Sequence, residues 1–261
     1  SALGDGVTSI AVGDKVVGTA PFGAYAEEVL ADAAQVVALG DDTSDDELEL
    51  AGSFLLTYGT SYHALKDRAA AKPGETLLVL GAGGGVGLAA VELGKQMGLR
   101  VIAAASTEAK REAARSRGAE VIDYTTDDFR DQLKALTGGR GVDIVYDPVG
   151  GDIAETALRS VGWGGRYLVV GFAAGGIPKL PTNLLLLKGS ALVGVFWGEF
   201  VRREPEANAA NTRQLLAWLH DRTLRPLISA RYPLSGAAQA LDALLGRDAI
   251  GKLVIVPSLA G

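Results

Sequence analysis

The chain contains no cysteine, which excludes disulfides and any thiolate-bound zinc site. Its two histidines, His63 and His220, stand far apart in sequence, so a catalytic zinc centre is not expected either. Positive charge is in deficit. Lys and Arg number 25 against 31 Asp and Glu, a net charge of −6, and no basic run or face appears, so nucleic acid is not expected as a partner. Long apolar runs are missing too: residues 184–187 are all leucine but end at Lys188, far short of the roughly 20 residues a bilayer requires. No membrane partner is expected, no segment reads as a signal peptide, and a cytoplasmic location follows as the expectation. Neither a G-x-S-x-G nucleophile motif nor an H-E-x-x-H metal motif occurs.

What is present is an ordinary globular composition, 48% hydrophobic over 261 residues, enough for a large core in one or two domains. Its most informative stretch is residues 75–98, ETLLVLGAGGGVGLAAVELGKQMG. Residues 77–80 form an unbroken apolar run suited to a strand buried on both faces. Gly81, Gly83, Gly84, Gly85 and Gly87 follow, then an apolar pattern of helical spacing that runs toward Gly98, a plausible residue just past a helix C-terminus. Strict G-x-G-x-x-G spacing fails because Val86 stands where the third glycine belongs; Ala82-x-Gly84-x-x-Gly87 is the near relative that fits. A strand, a glycine turn and a helix present bare amides and a partial positive charge to a pyrophosphate, so dinucleotide binding is expected here, a structural tight turn being the alternative.

The flanking sequence alternates. A helix over 54–68 precedes the first strand. Next come a strand over 100–105, a charged helix over 108–117, a strand over 120–122 and a helix over 129–136. A strand over 142–146, a helix over 153–161 and strands over 166–170 and 191–196 complete the run. This predicts an α/β fold with a doubly wound parallel Rossmann sheet. Residues 1–55 read as short strands and turns, with strands near 12–18 and 23–30 and a helix after the N-cap Ser44. After a helix over 211–220, the tail offers a strand at 228–232, a helix at 237–245 and a strand at 252–256, expected to pack back on the N-terminal part. The expected division is 1–55, 56–222 and 223–261.

Where NAD enzymes of this fold place an acidic residue, the second strand ends Ala105-Ser106-Thr107. The hydroxyls leave room for a 2′-phosphate, and Lys110 stands one turn on, which favours NADP. Glu108 is the contrary sign, and a solvated Lys110 is the plain alternative. Small-residue loops end other strands at 147–151, 171–176 and 194–198, and are expected to line one crevice unless each is merely a turn. Phe172 and Trp197 are candidates for ring stacking or for core, and Phe196 is expected in the core.

The runs GAGGGVGLAA, VIAAAST, VDIVYDPVGG, GGRYLVVGFA and VGVFWG, with VGDKVVG, GAYAEEV and LLTYGTSYHAL upstream and IGKLVIVP at the end, resemble the zinc-free quinone oxidoreductases of the medium-chain dehydrogenase/reductase superfamily, the zeta-crystallin group. The resemblance implies NADPH between a Rossmann domain and a GroES-like β-barrel. It implies pyrophosphate at Gly84, Gly85, Val86 and Gly87, and ribose phosphate among Ser106, Thr107, Lys110 and Tyr124. Thr60 would lie near the nicotinamide-side phosphate and Val149 and Gly150 near the middle of the cofactor. The nicotinamide half would meet Gly171, Phe172, Ala173, Val195, Phe196 and Trp197, with Arg247 and Lys252 as weaker phosphate contacts. Members of the group begin with further barrel strands and an Asn-containing loop, so the GroES-like β-barrel domain is expected to be incomplete here and the substrate side open.

The chemistry so implied is hydride transfer to a quinone or a similar conjugated carbonyl (enone) acceptor. The alternatives are an enoyl or alkenal double-bond reductase and a non-catalytic NADPH-binding protein. A quinone spreads incoming charge over its own oxygens, so no metal or shifted acid is required. Tyr58 is the single candidate donor to a developing oxyanion, against an ordinary structural role in its helix. A homodimer through the apolar edge strand 191–196 is expected.

Overall fold

Residues 77–80 carry no polar side chain and expose no surface, and the fold is built outward from them. The structure, a computed structural model, describes residues 2–259. Its elements in chain order begin with β1 (Val16–Gly18), β2 (Val36–Ala38), α1 (Asp45–Gly52) and α2 (Leu55–Tyr62), which continues as a π-helical segment, His63–Arg68. There follow β3 (Thr76–Leu80), α3 (Gly85–Gln96), β4 (Arg100–Ala104), α4 (Glu108–Arg115), β5 (Glu120–Ile122), α5 (Phe129–Leu136), β6 (Val142–Asp147) and α6 (Ile153–Arg159). The remainder are β7 (Val161–Val169), α7 (Asn183–Lys188), β8 (Ala191–Gly194), α8 (Trp197–Arg203), α9 (Pro205–His220), β9 (Ile228–Tyr232), α10 (Ala237–Leu245) and β10 (Lys252–Ile255).

A six-stranded sheet in the order β5-β4-β3-β6-β7-β8, parallel throughout, is the result. The order reverses between β3 and β6, the switch point at which open α/β sheets bind ligands. Leu78, Leu80, Ile102, Val145, Phe129 and Leu158 pack one continuous core against the helices. Polar clamps fasten the strands: Arg166 gives two hydrogen bonds of 2.8 Å to Glu75, and Arg100 gives Glu120 bonds of 2.7 and 2.8 Å. The chain divides into two compact units, Tyr58–Asn211 and a second formed by Ser1–Thr57 with Thr212–Gly261.

In the second unit β1 and β2 pair antiparallel and β9 and β10 pair parallel. Among the described residues these strands close no barrel. Ser44 caps α1 in a reciprocal capping box with Glu47, and Arg231 pairs with Glu49. Residues 23–30 are not the expected strand. Gly23 turns them at φ 90°, and β1 takes its ladder instead from β2, which sequence patterning missed. Two more helices were missed, α7 and α8, both short. β8 leaves its ladder at Gly194, so Phe196 and Trp197 lie outside it, contrary to a strand over 191–196. The helix expected at 211–220 starts earlier, at Pro205, since proline suits a first helical position.

The glycine turn explains the tightness of the β3–α3 unit. A Cβ on Gly87 would lie 2.3 Å from the Gly81 carbonyl oxygen and 2.8 Å from Ala82 Cα, whereas one on Gly84 would meet nothing nearer than 3.6 Å. Gly87→Ala is therefore expected to cost about 1–3 kcal/mol by overpacking. Gly84→Ala should cost less than about 1 kcal/mol. Urea unfolding midpoints of the two variants check this ordering.

Candidate functional site

Gly81 leaves β3 at φ 60°, and the space a side chain would fill there holds Val149, whose Cγ2 would lie 2.7 Å from such a Cβ. The turn after β3 thus interlocks with the loop after β6. Gly84 caps α3 in extended conformation with no side chain over the helix end, and Gly84, Gly85 and Val86 are half-buried. The first amides of a helix lack intrahelical acceptors and carry partial positive charge, so this end suits an anion. The side-chain space of Gly83 is filled by the Lys110 methylenes, at 2.5–2.9 Å from a built Cβ. Lys110 therefore lies along the glycine turn, a placement that a merely solvated lysine on a charged helix would not require.

At the end of β4, Ser106 is half-buried and Thr107 is exposed; the Thr107 hydroxyl accepts the Lys110 amide at 3.3 Å and caps α4. Glu108 does not turn back toward this end. Its carboxylate is held along α4 by Arg111 at 3.0 Å and Arg115 at 3.2 Å, and these bonds lower its pKa. Arg111 was not singled out from sequence, yet it also bonds Asp123 at 2.7 Å and the Ala105 carbonyl at 3.0 Å, joining the ends of β4 and β5. Tyr124, just past β5, is half-buried against the core.

Asp147 closes β6 and organises the next two loops; it too was missed, because an aspartate before proline reads as a turn former. It is 2% exposed. One carboxylate oxygen accepts the amides of Val149 (2.7 Å) and Gly150 (2.8 Å), and the other accepts the Tyr167 hydroxyl at 2.5 Å. Burial and this carboxylate push the Tyr167 hydroxyl far up. The Asp147 carbonyl accepts Val170 at 2.9 Å, while Ala173 and Ala174 donate to Pro148 (3.1 Å) and Val149 (2.9 Å). Gly171 packs against Pro148, and Gly150 at φ 64° packs against Phe172. The amides of Val149, Gly150, Ala173 and Val195 thus all have protein acceptors.

Phe172 is 41% exposed and Phe196 74%, which overturns the core placement of Phe196: once β8 ends at Gly194, no neighbouring strand covers the ring. Trp197 is half-buried, with its indole against Gly59 of α2, where a Cβ would come within 2.8 Å. Thr60, half-buried, is the next residue. Tyr58 is 2% exposed and its hydroxyl donates to Glu92, which also holds Arg117 at 2.9 Å. Burial, and then the Glu92 charge, raise the phenol well above its ordinary pKa. An enclosed hydroxyl bound to a carboxylate is a structural link between α2 and α3, and Tyr58 is withdrawn as an oxyanion donor. Arg247 and Lys252 belong to the other unit, Arg247 exposed at φ 60° and Lys252 half-buried in β10.

No group of three or more His, Cys, Asp or Glu among the described residues could hold a metal. His63 bonds Asp67 at 2.9 Å through Nδ1 and stacks on Phe200 at 3.9 Å. The donor set does not fit zinc. It does fit a dinucleotide: a side-chain-free helix end, hydroxyls and a lysine at the next strand, and two interlocked loops at the switch point.

These features define a nucleotide-binding fold of the doubly wound class. The family model described as zinc-binding dehydrogenase matches residues 85–218. A quinone oxidoreductase-like protein 2 homolog from Nematostella vectensis is 34% identical over 97% of this chain and 69% of its own length. A 2-haloacrylate reductase from Burkholderia is 32% identical, covering 98% of this chain and 77% of that protein. A mycobacterial protein solved with NADPH superimposes with a TM-score of 0.90 at 33% identity, over 98% of this chain and 79% of that one. The chain belongs to the medium-chain dehydrogenase/reductase superfamily, in its quinone oxidoreductase group.

Asp147→Ala would leave three donors, two of them buried, without their acceptor, at about 1–3 kcal/mol for each buried group left unsatisfied. The expected outcome is a loss of at least about 3 kcal/mol by chemical denaturation, with Asp147→Asn, which keeps one acceptor oxygen, falling between.

Proposed function

We propose that this chain is an NADPH-dependent oxidoreductase that reduces a quinone or a similarly activated conjugated carbonyl. The observation that carries the reading is Lys110 lying along the glycine turn beside Thr107 while Arg111 and Arg115 hold Glu108 away. A cation and hydroxyls with no free carboxylate form a pocket for a 2′-phosphate, and Ser106 and Tyr124 complete it. Bound NADPH supplies a hydride from C4 of its nicotinamide. The chain supplies the rest. The amides opening α3 at Gly85, Val86 and Gly87 hold the pyrophosphate, with Thr60 near its nicotinamide side. The Val149–Gly150 and Gly171–Ala173 loops, pinned by Asp147, orient the ring, and Phe172, Val195, Phe196 and Trp197 flank it and exclude water. No side chain is assigned as acid: a quinone delocalises the incoming charge, and its protons come from solvent. The reaction proposed uses no zinc.

A second reading has its own support, the similarity to a 2-haloacrylate reductase: reduction of an activated carbon–carbon double bond with the same cofactor. NADPH consumption with 1,4-benzoquinone, a 2-alkenal and 2-chloroacrylate distinguishes them. The expected outcome is a kcat/KM for the quinone at least about tenfold higher, a difference of 1.4 kcal/mol in transition-state binding. A reversed order selects the double-bond reductase, and tight NADPH binding with no oxidation selects a binding protein. Lys110→Ala should weaken NADPH by about tenfold or more, the loss of one charge-assisted contact, and NADH by less than about twofold; equal loss refutes the phosphate role.

We also propose a cytoplasmic homodimer in which β8 pairs with its twin. β8 is a sheet edge with Leu192 43% exposed, and unpaired apolar edges associate. Light scattering should give twice the chain mass, and Leu192→Lys should shift it toward the monomer.

A further inference from the structure

A cavity lies at the opposite end of the sheet from the glycine turn, where Gly141 enters β6 and Val161 enters β7. β6 is six residues long, which separates the two ends by about 20 Å. The cavity is about 320 Å³, within the range of small-ligand sites. Arg130, Lys134, Arg140, Arg159 and Lys188 line it, and no carboxylate does. They come from separate segments, so no basic run announces them in an acidic chain.

The plain explanation is helix capping, because α5, α6 and α7 all end here and each has a basic residue in its last turn. It covers only part of the cluster. Lys188 donates to the carbonyls of Arg159 (2.5 Å) and Val161 (2.6 Å), and Arg159 bonds Glu155 at 2.6 Å. Arg130, Lys134 and Arg140 have no side-chain partner among the described residues. Counting each helix end at about −0.5 and setting Glu155 against Arg159, positive charge remains in excess by about two and a half. Burial and then the Arg130 and Arg159 charges lower the Lys188 pKa, in keeping with that excess. Beside the cations stands Trp163, 83% exposed, its indole against Gly189. A bare indole next to unneutralised cations matches a ligand with both an aromatic face and phosphate groups.

The geometry points to a second binding site here for a small phosphorylated aromatic ligand of the adenine nucleotide class. Phosphate groups lie among Arg130, Lys134 and Arg140, and the base stacks on Trp163. The site is separate from the cofactor crevice and does not depend on the function proposed for that crevice.

The test is isothermal titration of the full chain, alone and saturated with NADPH, using ADP, inorganic pyrophosphate and adenosine as probes. ADP should still bind under saturating NADPH, more tightly than pyrophosphate and far more tightly than adenosine. Arg130→Gln with Arg140→Gln, both exposed side chains, should weaken ADP and pyrophosphate at least tenfold and leave NADPH affinity unchanged. Trp163→Ala should weaken ADP at least fivefold and pyrophosphate less than twofold. The proposal is overturned if NADPH abolishes ADP binding, if the double variant binds ADP like the parent, or if Trp163→Ala leaves ADP affinity intact. Should NADPH itself not bind, the functional reading fails alone, and the Arg130/Arg140 dependence of ADP binding still decides this site.

Discussion

Where α3 passes over the end of β3, two stretches of backbone touch. The approach of Gly87 to the Gly81 carbonyl leaves no volume for even a methyl group. This contact brings the helix N-terminus down onto the strand, and the partial charge of that end becomes available at the surface of the sheet. The same economy of side chains recurs beside it: Val149 fills the space beside Gly81, and Lys110 the space beside Gly83. Glycines here are not simply flexible. They are the places where neighbouring loops enter.

Asp147 plays the corresponding part on the other side of the switch point. A buried carboxylate is costly unless its oxygens are fully bonded, and here two amides and the Tyr167 hydroxyl meet it. One residue therefore sets the shape of two loops at the switch point of the sheet. The loop amides are turned inward by this arrangement, while the Phe172 ring stays exposed.

Charge is distributed with the same division of labour. Near the glycine turn Arg111 occupies both Glu108, on its own helix, and Asp123, just past β5, so these two carboxylates are neutralised by one neighbour. At the far end of the sheet the balance tips the other way, because three helix C-termini bring cations together and only Arg159 has a carboxylate partner, Glu155. The two ends thus differ in kind: one offers backbone amides and a single lysine, the other a cluster of side-chain cations.

Much of the fold was legible because parallel strands and their helices leave periodic signals: residues 77–80 and 101–104 are apolar runs, 142–146 is a strand-length segment between turns, and α5 spans the residues its pattern marked. The glycine turn was legible for the same local reason. Other features were not local. β2 is a strand only because β1 needs a partner, and residues 23–30 carry a similar pattern without forming one. Phe196 reads as core by composition, but it is exposed because β8 stops two residues earlier. Spacing alone thus pointed to a doubly wound sheet with a glycine turn after its first strand, and to Ser106, Thr107 and Lys110 following its second. Tertiary structure alone decided that Glu108 is held away, that Tyr58 is tied to Glu92, and that cations from separate segments share one cavity. Side-chain pairing depends on which surfaces the packed chain brings together, and no repeat in the sequence encodes that.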